Sequence, residues 1–135
     1  MNAYLAKWAG DLISGESRRL PKAFRVQGVR EAHLGPRLEV ARVELLAEPA
    51  DDLNVVFDTS GLAPRPELPP FVESAVFGFL DVVLLAEPYP LRKMTLTVVD
   101  MEVDPVSSSV RAFRLAGREA GRRLLEAIEN DPYAP

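Results

Sequence analysis

Phe71-Val-Glu-Ser-Ala-Val-Phe-Gly-Phe-Leu-Asp-Val-Val-Leu-Leu-Ala86 decides the fold, because the run is too long and too apolar to be a surface strand. It is long enough for about four helical turns at 3.6 residues each. Pro69-Pro70 just before it suits a helix entrance, where a missing N–H costs nothing. At 100° per residue, Phe71, Val72, Ala75, Val76, Gly78, Phe79, Val82 and Val83 share one broad apolar face. Phe77, Leu80 and Leu84 lie on the other side. One sheet cannot cover both faces, so this helix needs a second apolar partner.

Outward from it, Glu87-Pro-Tyr-Pro90 ends the helix. Met94-Thr-Leu-Thr-Val98 then alternates large apolar residues with threonine, the pattern of a strand with Met94, Leu96 and Val98 inward. Ser107-Ser-Ser109 offers hydroxyls to cap a helix from Val110 to about Ile128. Its inner face is Phe113, Ala116, Gly117, Ala120, Leu124, Ala127 and Ile128. Arg111, Arg114, Arg118 and Arg122 form a narrow stripe opposite. The region 1–21 reads as a helix and connector, 22–129 as the domain and 130–135 as a tail. Within the domain, 22–30, 37–47, 53–59 and 93–103 read as strands, with helices 71–86 and 109–129 on one side of the sheet. Gly28 reads as a turn or bulge, and the Leu38, Val40, Val43, Leu45 pattern as a phase shift near Ala41-Arg42 that a bulge would explain. The proline-rich stretch 60–70 is an extended connector.

Phe71-Val72 through Gly78, Tyr89-Pro90-Leu91 leading into Met94-Thr-Leu-Thr-Val98-Val99-Asp100, Val106-Ser-Ser-Ser109 and Ala112-Phe113-Arg-Leu-Ala116-Gly117 resemble, in order and spacing, domain IV of the translocase elongation factor G. The resemblance covers roughly residues 22 to 129. It implies an α+β two-layer sandwich of the ribosomal-protein S-five second-domain type, about four strands with two helices on one face, here with an extra N-terminal helix. It also implies ribosome- or RNA-linked work as a stand-alone, non-catalytic binding protein. Met101 and Asp104 stand where the resembled turn carries glycine and a functional histidine, and the early glycine-rich loop is reduced to His33-Leu-Gly35-Pro36. A homo-oligomeric interaction module that keeps the fold is the alternative reading. An enzyme with a pocket near the acidic turn is the third.

Composition bounds these readings. The 135 residues, 47% of them hydrophobic, suit one domain with a real core. A formal charge of −4 removes the global attraction to nucleic acid of a basic protein, leaving only local basic faces. With no cysteine there are no disulfides, thiolate metal sites or cysteine nucleophiles. A cytoplasmic protein with no membrane segment is expected, since no signal pattern and no uncharged spanning run is present. Arg outnumbers Lys thirteen to three, a bias that a thermophile or GC-rich coding would each give.

The candidate sites follow from residue types. The arginine stripe suits RNA phosphates or an acidic protein partner, extended by Arg30 or Arg37 if the fold brings them close. Asp100, Glu102 and Asp104 at alternate positions would aim three carboxylates to one side, a pattern open to Mg²⁺ or Ca²⁺ but without the glycine and second ligand segment of a known cage. His33, the sole histidine, has no readable nucleophile, and no phosphate-binding loop or nucleophile elbow occurs, so no cofactor and no catalytic residue is expected. Near the N-terminus, Tyr4, Leu5, Trp8 and Leu12 form the apolar stripe of a short helix. That stripe would cover Phe77, Leu80 and Leu84, within one chain or between the two chains of a homodimer.

Overall fold

The computed structural model describes residues 18–56, 68–86, 90–104 and 106–130. Tyr4, Leu5, Trp8 and Leu12, the proposed first helix and most of the tail lie outside the described residues. The elements in chain order are β1 (Arg18–Arg19), β2 (Phe24–Leu34), β3 (Arg37–Pro49), β4 (Asn54–Val56), α1 (Leu68–Val83), β5 (Leu91–Glu102) and α2 (Val110–Glu129). This is an α+β fold. β2 and β3 form an antiparallel hairpin, turned at Gly35 with φ +68, and β3 runs antiparallel to β5. β4 pairs in parallel with the middle of β5 through Val55↔Leu96, and β1 pairs in parallel with its beginning.

Alternation places one face of the sheet inside. Val26, Ala41, Val43, Leu45, Ala47, Met94, Leu96 and Val98 are buried with Phe79, Phe113, Ala116, Ala120 and Leu124 in one core. Met94, Leu96 and Val98 point inward as the alternation predicts. Both helices lie on that face. Pro69 and Pro70 occupy the first turn of α1, where backbone N–H groups have no helical acceptor. Ser109 caps α2, its hydroxyl accepting from the Ala112 N–H at 3.0 Å.

Three expectations change. β3 alternates without a break, with Glu39, Ala41, Val43, Leu45 and Ala47 inward, so there is no phase shift at Ala41-Arg42. The irregularity is on the partner strand, where Glu44 opposes Asp100 and Leu45 opposes Val98, leaving Val99 as the extra residue. Gly28 is neither a turn nor a bulge. It sits inside β2, where a Cβ would lie 1.7 Å from the Ala116 carbonyl oxygen, so α2 rests on strand backbone there. The connector ending at Pro21 is also partly structural, since Arg18–Arg19 join the sheet and Leu20 is buried.

The two helices meet more closely than the sequence suggests. A Cβ on Gly78 of α1 would lie 2.0 Å from the Arg114 carbonyl oxygen, and one on Gly117 of α2 would lie 2.0 Å from the Ala75 carbonyl oxygen. Phe71 stacks on Phe113 with centroids 4.8 Å apart. The Phe71, Ala75, Gly78 side of α1 therefore packs on α2 rather than on the sheet. Leu80 and Leu84 are fully buried in the common core, while Phe77 is half-buried. No helix among the described residues is long and apolar enough to cross a membrane.

Candidate nucleic-acid interface

A cationic face starts from the phase of α2. Its inward positions are small or apolar, which leaves Arg111, Arg114, Arg118, Arg122 and Arg123 on the outer side with 40–62% of each side chain exposed. Three carboxylates organise these guanidiniums together with that of Arg30 on β2, each carboxylate shared between two of the six. Glu39, inward on β3 and 6% exposed, accepts from Arg30 Nε at 2.7 Å and from Arg111 Nη1 at 2.8 Å. Asp81, on α1, accepts from Arg114 Nε at 2.6 Å and Nη2 at 2.8 Å, and from Arg118 Nε at 3.3 Å. Glu119 accepts from Arg122 at 3.5 Å and from Arg123 at 3.2 Å. Arg114 also lies over the Phe77 ring, 5.8 Å from its centroid.

Six guanidiniums face three carboxylates, so a net positive face survives although every one of its cations is paired. The pairs restrict side-chain freedom without cancelling the charge. Five N–H donors stand on each guanidinium, and the carboxylates engage only one or two of them, leaving donors for a further anion. Glu126 and Glu129 offset the charge only at the last turn of α2. The Arg30 bond, and to a lesser degree Arg111, hold the Glu39 carboxyl below the usual carboxylate range against the opposing effect of burial. That carboxylate fixes the β2–β3 hairpin to the start of α2. Ser108 adds to the junction, its hydroxyl donating to the Val40 carbonyl at 2.7 Å, and the Val40 N–H donates to Ser107 O.

Between α1 and the first turns of α2 the arginines rim an open groove of about 320 Å³, lined by Ser74, Val110, Arg111, Arg114, Leu115 and Arg118. Ser74 is nearly buried, and its hydroxyl donates to the Val110 carbonyl. Val110 is half exposed, giving the groove an apolar lip beside its cations.

The acidic turn is arranged differently. Asp100 accepts from the adjacent Met101 N–H, Glu102 accepts from Arg42 at 3.2 Å, and Asp104 accepts from the Val106 and Ser107 N–H groups, both at 2.9 Å. Those last two bonds hold the Asp104 carboxyl below its ordinary value. The three carboxylates thus close separate bonds with different partners. Among the described residues no group of three potential ligands has metal-holding geometry. The nearby cavity, bounded by Gln27, Arg42, Glu44, Asp100, Met101 and Glu102, measures about 10 Å³. That is room for about one water, too little for a substrate. His33 is exposed on β2 opposite Leu38.

Of the sequence candidates, the structure places Arg111, Arg114, Arg118 and Arg122 on one face and joins Arg30 to it through Glu39. Arg37 is exposed beside the hairpin turn. Sequence reading missed Glu39, Asp81, Ser74 and Arg123. Asp81 carried a signal, since a carboxylate flanked by Phe79, Leu80, Val82 and Val83 implies a cationic partner elsewhere.

No family model matches the chain. Elongation factor G of Neorickettsia sennetsu is 32% identical over 122 residues, which cover 88% of this chain and 17% of that protein. The chain thus spans less than a fifth of the curated relative it matches. A crystal structure of a Thermus thermophilus protein superposes with a TM-score of 0.67 at 23% identity, over 78% of this chain and 16% of that one, a likeness of fold alone. The resemblance to elongation factor G is shown, and the α+β architecture that it implied is the one observed.

Proposed function

We propose that this elongation-factor-G-like chain is a non-catalytic, ribosome-associated RNA-binding protein whose contact surface is the arginine face of α2. The observation that carries the reading is the two-to-one sharing of Glu39, Asp81 and Glu119 among six arginines. Each carboxylate orients two guanidiniums but neutralises only one charge. Here the excess cation is retained and its direction fixed, as binding to a repeating polyanion requires. The relative's name, a translation factor, supports RNA of the translation machinery as the polyanion. The acidic outer end of the sheet, with Glu44, Asp100 and Glu102 around Arg42, opposes phosphate and sets the orientation of approach.

Co-sedimentation of the full chain with ribosomes, at low salt and again near physiological salt, tests the reading. The wild-type chain is expected to pellet with ribosomes at low salt and to be released as salt rises. The triple variant R118E/R122E/R123E, with an unchanged circular dichroism spectrum, should remain in the supernatant. Ribosome association that survives both the salt and the triple variant would overturn the assignment of this face.

A further inference from the structure

We infer that the groove between α1 and the first turns of α2 is a subsite for one nucleotide unit, its phosphate on Arg111, Arg114 and Arg118 and its sugar and base against Leu115 and Val110. The inference deepens the RNA-binding reading and rests on it for the source of the nucleotide. Flat charge attraction along α2 would need no concavity. The structure has one, at the end where Arg111, Arg114 and Arg118 converge. Its volume of about 320 Å³ lies at the small end of ligand pockets, which run roughly 300–1,000 Å³, so it suits a single small group rather than a length of chain.

The lining separates into two chemistries. The three guanidiniums offer planar, forked donors matched to phosphate oxygens. Asp81 and the Phe77 ring hold Arg114 from two sides, and Glu39 holds Arg111, so these donors are oriented before an anion arrives. Val110, 53% exposed, and Leu115, half-buried, give an apolar wall beside them. A bare inorganic anion would leave that wall unused, whereas a phosphate bearing a sugar and a ring fills both parts. Ser74 fixes the floor, since its hydroxyl bond to the Val110 carbonyl ties α1 to the start of α2.

The test is a nuclear magnetic resonance titration of the full chain, following the Leu115 methyl groups and the Nε–H signals of Arg114 and Arg118, with those of Arg122 and Arg123 as a reference. The probes are adenosine 5′-monophosphate, inorganic phosphate, adenosine, a hexaglutamate peptide and a single-stranded RNA decamer. Adenosine 5′-monophosphate is expected to shift both sets of signals saturably, and to bind at least tenfold more tightly than inorganic phosphate or adenosine. L115E should lose at least tenfold of that affinity. L115W, which fills the groove without changing charge, should lose a similar factor, so that a folding defect in either variant does not decide the matter. Shifts confined to Arg122 and Arg123, or hexaglutamate acting at Leu115 below the nucleotide's concentration, would overturn the nucleotide subsite. If the decamer binds with no change at Leu115, the subsite fails and the RNA reading stands. If the mononucleotide binds and the decamer does not, the subsite stands for free nucleotides and the RNA reading fails.

Discussion

On its inner side α2 meets its neighbours, at its closest points, with no side chain between them. On its outer side it meets solvent through the longest side chains available. Inside, Gly117 lies against the backbone of α1, and the Ala116 carbonyl lies against Gly28 of β2. Position there is fixed by hard contact, and a single methylene has nowhere to go. Outside, position is fixed by charge, with Glu39, Asp81 and Glu119 each steering two guanidiniums that keep about half their surface exposed. The same helix therefore carries a face intolerant of size and a face tolerant of size but sensitive to sign. Stability should respond to the first and binding to the second.

The largest effect should come from the inner face. Gly117→Val places new atoms where a Cβ alone would lie 2.0 Å from the Ala75 carbonyl oxygen, so the helices must separate. A loss of about 3 kcal/mol, the upper part of the overpacking range, is expected by urea unfolding. A loss under about 1 kcal/mol would show that the helix contact gives way and would erase the contrast.

Next comes Asp81→Ala, which leaves Arg114 and Arg118 without their shared carboxylate. Both arginines are about two-fifths exposed, so solvent screens much of the penalty, and roughly 1–2 kcal/mol of stability should be lost. Affinity for RNA should fall at the same time, although the face gains a positive charge, because Arg114 and Arg118 lose the carboxylate that orients them. A rise in affinity would mean that net charge alone, and not orientation, governs binding.

How much of this was legible in sequence follows from the kind of contact involved. The inner residues of α2 and the strand residues Met94, Leu96 and Val98 are readable because apolar periodicity records burial directly. β3 was misread because its inward position 39 is a glutamate, while the apolar neighbours Leu38 and Val40 sit on the outer, partly covered face. Two arginines from other elements make that burial tolerable, and hydrophobic alternation contains no record of them. Gly28 was misread because glycine marks both turns and close backbone approach, and only the position of α2 separates the two. The arginine stripe was legible as a stripe. Its neutralising partners were not, because Asp81 lies 33 residues from Arg114 and Glu39 lies 72 from Arg111.

A smaller effect concerns acid. The Glu39 carboxyl titrates below its ordinary value of 4.5 in the folded chain. Its contribution to stability is therefore complete above that pH and is lost as pH falls through the lowered value. Glu39→Gln should remove this part of the acid dependence and lower stability near neutrality, seen by following unfolding midpoints from pH 7 downward. If the variant shows the same dependence as the wild-type chain, the clamp between the hairpin and α2 contributes nothing.

The smallest stability effect belongs to the outer face. R122E/R123E should change the unfolding free energy by no more than about 0.5 kcal/mol, because both side chains are exposed and, among the described residues, paired with Glu119 alone. A larger loss would mean that the two faces of α2 are not separate in function.

The central claim is that the outer face of α2 holds RNA phosphates, and the salt dependence of RNA affinity tests it most directly. Affinity for a single-stranded RNA should fall linearly in log–log form, by about 0.7 in slope for each phosphate held. The account predicts a shallower slope for R122E/R123E, by about 1.4 if each arginine holds one phosphate, with the fold intact. Equal slopes in the variant and the wild-type chain, or wild-type affinity that does not change with salt, would contradict it.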